Sequence, residues 1–186
     1  MKKKILMVIA SMMVILTANA QNSELKNEIG LYYGFGSASN IVSTITAIVG
    51  AAAGEQSNFW GPVGIEYFHH VTPVVAIGGM ASIAGCDVAN KSGNSNFTES
   101  YVTVMPAVKF NWLRKEYFGM YSGVAAGVMF VSADTKGDPN VRSDSGVYFM
   151  GQATAIGMEF GGAFRGFAEL GFGEKGFLCA GIRYKF

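Results

Sequence analysis

The last ten residues constrain the fold most. Phe177 to Phe186 reads Phe-Leu-Cys-Ala-Gly-Ile-Arg-Tyr-Lys-Phe, and every second residue counted back from the end is apolar: Phe186, Tyr184, Ile182, Ala180 and Leu178. Between them stand Lys185, Arg183, Gly181, Cys179 and Phe177. A period of two marks a strand with one apolar face, because successive side chains of an extended chain point to opposite sides. The stretch also has the length of a tilted strand that crosses a membrane once, about 9–11 residues.

The rest of the chain repeats this pattern. Half of its 186 residues are hydrophobic. Yet beyond the leader no stretch of ~20 residues is continuously apolar, as a spanning helix requires. The apolar residues are dispersed in alternation among 25 glycines and many aromatics. A soluble sandwich would alternate too, but with polar residues wetting its outer faces. Here the intervening residues are mostly Gly, Ala, Ser and Tyr with sparse charges, which suits a narrow lumen.

Met1 to Ala20 has the layout of a cleaved secretory signal: Lys2, Lys3 and Lys4, an apolar run from Ile5 to Leu16, and the small-residue site Ala18-Asn19-Ala20. No Cys follows the site, which argues against a lipoprotein. The expected mature chain is a single domain, residues 21–186. Without the three leader lysines it carries 11 Lys and Arg against 13 Asp and Glu, net −2. That excludes a basic face for nucleic acid.

Eight strands are predicted, at 27–36, 58–68, 73–84, 97–112, 117–131, 146–160, 163–172 and 177–186. Their outward faces are led by Ile29, Leu31, Tyr33 and Phe35, then by Phe59, Val63, Ile65 and Tyr67. Ile77 and Ile83 follow, then Val102, Val104, Val108 and Phe110, and later Val124, Val128 and Leu170. Pro106 inside the fourth strand predicts a bulge, since it cannot donate a ladder bond. Connections after strands two, four and six read as short. Those after one, three and five read as long, at 37–57, 85–96 and 132–145. Two fragments, Gly61-Pro62-Val63-Gly64-Ile65-Glu66-Tyr67 and Thr154-Ala155-Ile156-Gly157-Met158-Glu159-Phe160, follow one strand pattern. Outward aromatics gather at both predicted strand ends. Tyr67, Phe110, Trp112, Phe118, Phe160, Tyr184 and Phe186 mark one end; Phe35, Phe59, Phe130 and Phe172 mark the other. Membrane barrels carry such girdles where lipid meets water.

The inward parity collects four acids and four bases: Glu28, Glu66, Lys109, Glu159, Arg165, Glu169, Arg183 and Lys185. On a lipid-facing position at midplane a Lys or Arg would cost roughly 2–4 kcal/mol. Inside a narrow barrel each can pair, so the set reads as a structural charge network rather than a catalytic one. His69 and His70 fall in a predicted turn and read as solvated. Asp134, Asp138 and Asp144 lack the spacing of a calcium loop. Cys86 and Cys179 share inward parity on strands distant round the barrel, so a disulfide would need a folded-in loop. Ile41 to Ala53 is too apolar for a loop in water and is expected at the barrel mouth.

The terminal Phe186, the apolar Tyr184 two before it and Gly181 five before it resemble the closing-strand signal of Gram-negative outer-membrane barrels. The chain resembles the small OmpA/OmpX-type, porin-like family. The resemblance implies an all-β, eight-stranded antiparallel up-and-down transmembrane β-barrel in the outer membrane. It implies assembly through the C-terminal strand by the barrel-assembly machinery, contact with outer-membrane lipid, and a monomer. It further implies no enzymatic activity, cofactor or metal. The role it suggests is envelope integrity or adhesion-like interaction with an extracellular ligand or host surface. The alternative is a narrow channel for small hydrophobic molecules or ions, as OmpW-like barrels would allow, and a lipid-modifying barrel enzyme is the third reading.

Overall fold

The structure, a computed structural model, describes residues 25–37, 55–90, 96–136 and 144–186. Eight strands run β1 Asn27–Phe35, β2 Glu55–His70, β3 Val75–Asn90, β4 Asn96–Arg114, β5 Phe118–Lys136, β6 Asp144–Gly161, β7 Phe164–Gly173 and β8 Leu178–Lys185. Each pairs antiparallel with the next, and β8 pairs antiparallel with β1, so the sheet closes. The expected eight-stranded up-and-down barrel is borne out. The expected leader, 1–20, and the apolar tract 41–53 lie outside the described residues.

Side-chain alternation sets the two surfaces. Leu31, Ile77, Val104, Val124, Leu170 and Ile182 are exposed on the outer wall. Tyr32, Met105, Tyr121 and Phe167 are buried inside it. Closure leaves no long edge in the β1–β8 seam, where Glu28 sits opposite Lys185 and Gly30 opposite Arg183.

The second strand departs from its predicted parity. Phe59 turns inward, its ring centroid 6.5 Å from that of Tyr101, and Trp60 takes the exposed face. The cause is one extra residue in β2. The ladder with β3 passes from Trp60–Gly85 to Val63–Ile83, and a bulge of one residue moves every side chain before it to the other face. Gly61 holds the bend at φ 87°, and a Cβ there would stand 2.9 Å from the Ile83 carbonyl oxygen. Pro106 makes no bulge. The β4–β5 ladder passes from Val104–Val128 to Ala107–Ala125 in unchanged register, and the shift falls instead between Asn111 and Leu113. Pro106 is exposed on the outer wall, where the missing N–H leaves the register intact.

The predicted loops after β3 and β5 are largely strand. β3 continues to Asn90 and β5 to Lys136, leaving 91–95 and 137–143 between strands. Polar residues there extend the hairpins instead of ending them, because an antiparallel partner continues to satisfy the backbone. The wall is consequently uneven. β2 to β6 hold 16 to 19 residues each, whereas β7, β8 and β1 hold 10, 8 and 9. Strand β7 meets β6 only from Gln152 onward, and β1 meets β2 only from Val63 onward. The end that carries the connections after β2, β4 and β6 is called the turn end below, and the opposite end the loop end.

Candidate functional site

The barrel interior near the turn end is built from charged side chains. Arg183 of β8 occupies its centre, fully buried. Its Nε donates to Glu66 Oε1 at 3.0 Å, and its Nη2 contacts the same oxygen. Nη1 donates to Glu159 Oε2 at 2.8 Å, and Nη2 also donates to the Tyr121 hydroxyl at 3.2 Å. The guanidinium lies over the Phe167 ring, 4.2 Å from its centroid, with the Tyr121 ring at 5.0 Å. A planar fork with five donors can serve two carboxylates and a hydroxyl at once in one fixed geometry.

The other predicted charges join this centre. Lys185 contacts Glu159 and lies 3.5 Å from Glu28. Lys109 contacts Glu28 and sits between the rings of Phe68 and Tyr121, 5.1 and 4.8 Å from their centroids. Arg165 donates to Glu159 at 3.2 Å. Glu169 accepts from the Tyr121 hydroxyl at 2.7 Å and from Thr154 Oγ1 at 3.3 Å. Thus Glu28, Glu66, Lys109, Glu159, Arg165, Glu169, Arg183 and Lys185 are all buried and linked.

The repeated fragment explains part of the geometry. In both copies a bulge precedes a glycine and then a glutamate: Gly61-Pro62, Gly64 and Glu66 in β2, and Ala155, Gly157 and Glu159 in β6. A Cβ on Gly64 would lie 2.2 Å from the Tyr32 ring, and one on Gly157 would lie 2.4 Å from the Tyr121 ring. The glycines make room for inward rings, and the glutamates two positions on reach Arg183 from opposite walls.

Two members of the network lie outside the strands. The connection Glu174–Phe177 folds into the lumen, and Glu174 and Lys175 are buried. Lys175 Nζ donates to Glu66 Oε2 at 2.6 Å and to Glu169 Oε2 at 2.9 Å, and stands 4.6 Å from the Tyr32 ring centroid. Glu174 accepts from Ser82 Oγ at 3.4 Å. The sequence signal for this fold-in was Gly173 and Gly176 flanking an acid–base pair; both adopt positive φ, 131° and 89°. Between Phe68, Met80, Lys109, Tyr121, Gln152 and Lys175 only ≈ 10 Å³ of void is left, about the room of one water.

No protein-family model and no curated protein matches the sequence. Two solved structures of Ail, the attachment invasion locus protein of Yersinia pestis, are similar to it. The complex with the heparin analogue sucrose octasulfate aligns with a TM-score of 0.49 at 14% identity, over 87% of this chain and 99% of that one. A second Ail structure aligns with a TM-score of 0.41 at 15% identity over the same shares. Neither likeness bears on what the present chain does.

His70 differs from its expected place. β2 runs through His70, so the side chain is inside and buried, with Nε2 3.3 Å from Glu28 Oε2. His69 keeps to the outside beside Asn27, 2.9 Å away. Cys86 and Cys179 are buried and free; they belong to separate apolar clusters. At the chain end Tyr184 lies opposite Ile29 and Phe164 and stacks on Phe186, with ring centroids 5.9 Å apart, while Gly181 lies opposite Tyr32 and Phe167. Above the charged layer, toward the loop end, the inner face carries an apolar cluster: Ala84, Cys86, Tyr101 and Met129, with Phe59, Val131 and Met150 against them.

Proposed function

We propose that this chain is a monomeric outer-membrane barrel of a Gram-negative envelope, closed by its interior charge network, with a structural role and a surface-interaction role at the loop end. The observation that carries the reading is the position of Arg183, tied to Glu66 on one wall and Glu159 on the other across the lumen. Lys175 adds a connection folded into the same space. A bore filled in this way is a strut, since eight-stranded interiors are only wide enough for side chains.

The outer wall supports the membrane setting. Its exposed side chains form an apolar band, with Trp112, Phe110, Phe160 and Phe186 at the turn end and Phe35, Phe130 and Phe172 toward the loop end. Gly181, Tyr184 and Phe186 would be presented to the assembly machinery, and the leader would deliver the chain to it. The buried acids and bases neutralise one another, which favours a non-enzymatic role. Planar-bilayer recording of the refolded protein tests closure: no steady conductance is expected, and regular single-channel steps would overturn it. Adhesion of cells displaying the protein to matrix-coated surfaces tests the surface role, and adhesion equal to barrel-free cells would remove it.

A second reading rests on the apolar inner face around Ala84, Tyr101 and Met129, above the short wall of β7, β8 and β1. A small hydrophobic molecule entering over that wall would meet this apolar cluster, with Glu99 beside the Tyr101 hydroxyl as its polar neighbour. Saturable uptake of a hydrophobic dye into proteoliposomes would favour this reading over the closed strut.

A further inference from the structure

At the turn end, the mouth of the barrel is a pocket of ≈ 370 Å³ between Leu25, Pro73, Arg114, Lys115, Glu116, Arg165 and Lys185. Four of these are cations and one is an acid, contributed by β4, the β4–β5 turn, β7 and β8. The carboxylates beneath are already shared among several cations. Glu159 serves Arg165, Arg183 and Lys185 together, and Glu28 serves Lys109 and Lys185 with His70 beside it. Nothing in that layer remains to neutralise Arg114 and Lys115, and Glu116 is exposed.

Arg165 frames the pocket. Its Nε donates to the Gly162 carbonyl at 2.8 Å, and its Nη2 donates to the carbonyls of Glu116 at 2.6 Å and Lys115 at 3.3 Å. These bonds fix the β4–β5 turn over the mouth. Arg114 is half-buried and spends one N–H on the Leu25 carbonyl at 2.7 Å. Its other four N–H groups have no protein acceptor among the described residues, and neither does the Lys115 ammonium.

We infer that this mouth is a binding site for a small oxyanion, a phosphate or carboxylate group held by Arg114 and Lys115 over Lys185. A guanidinium fork matches the paired oxygens of such a group, and converging cations in a recess raise the local concentration of anions. The inference does not depend on the membrane reading, because the site is defined within the barrel mouth.

The test is calorimetric titration of inorganic phosphate, and separately acetate, into the folded protein in non-ionic micelles at fixed ionic strength. One saturable site is expected. R114Q/K115Q should weaken it about tenfold or more, the loss of one or two charge-assisted bonds. E99Q, at the opposite end, should leave it unchanged. K115Q alone, at an exposed turn position, should weaken binding measurably and guards against a double variant that fails to fold. Absence of saturable binding of either anion, or binding equal in K115Q and R114Q/K115Q, would overturn the site. Repeating the titration in phosphatidylglycerol and phosphatidylcholine nanodiscs separates the sources. Phosphate affinity lowered in the anionic discs identifies a lipid headgroup as the occupant, and equal affinity identifies a soluble anion.

Discussion

Lys175 Nζ donates to Glu66 Oε2 at 2.6 Å, although 109 positions separate the two residues in sequence. The bond links the connection between the last two strands to the second strand. It places a fully buried cation between two carboxylates, Glu66 and Glu169. Breaking a buried pair by removing one partner leaves an uncompensated charge, at a cost of roughly 3–5 kcal/mol.

Lys175→Met is therefore expected to destabilise the barrel by about 3 kcal/mol or more in urea unfolding from micelles. Lys175→Met combined with Glu169→Gln removes one charge of each sign and should cost less than the two single changes summed. Additive losses would show that the two side chains do not act on each other.

Gly176 holds the same connection inside. A Cβ at this position would lie 2.0 Å from the Phe35 carbonyl oxygen, and its φ of 89° strains any other residue. Gly176→Ala should lower the unfolding midpoint and expose Lys175 to amine-reactive labelling, which the parent should resist. Unchanged labelling together with unchanged stability would place the connection elsewhere.

The two tryptophans, Trp60 and Trp112, are both exposed on the outer wall. Single-tryptophan proteins made with Trp60→Phe or Trp112→Phe should each be quenched by brominated lipid in vesicles. Trp60 refractory to quenching would restore the parity that the Gly61-Pro62 bulge inverts.

Cys86 and Cys179 are buried and unpaired. The refolded protein should therefore show two free thiols on alkylation after unfolding and none before it. A mass two daltons lower with no alkylation after unfolding would mean a disulfide.

Much of this barrel was legible because strands with one apolar face and one enclosed face must alternate. The alternation of Leu178 to Lys185 put Arg183 and Lys185 on one side of the last strand, and both are inside. Where a second rule intervened, the pattern misled. Phe59 and Trp60 exchange faces because one extra residue at Gly61-Pro62 inverts parity, and no count of apolar positions registers an insertion. His70 is buried rather than solvated because strand β2 runs two residues beyond its predicted end, and its last residue points inward. Ser82, Gln152 and Thr154 carry no charge, so nothing marked them as partners of the network; Ser82 meets Glu174 across the barrel, and Gln152 and Thr154 meet Lys175 and Glu169 beside the β6–β7 hairpin. Lys175 itself lay in a four-residue connection that resembled a surface turn. The pair of flanking glycines was the available hint that the backbone could dive.

The uneven wall has a mechanical consequence. At ~3.3 Å per residue and a tilt of ~40°, the eight residues of β8 rise about 20 Å along the barrel axis, and the 19 residues of β4 about 48 Å. An outer-membrane barrel meets an apolar layer ~25 Å tall. In the membrane proposed above, the flank formed by β8 and β1 would stand lower than that layer, β7 would just match it, and the opposite flank would overshoot it. There, lipid beside the low flank would thin, or the whole cylinder would lean toward it, and either adjustment carries an elastic cost set by the mismatch. The barrel would thus have a front and a back in the plane of that membrane. Thin, easily deformed bilayer would gather at β8, the strand on which the chain ends.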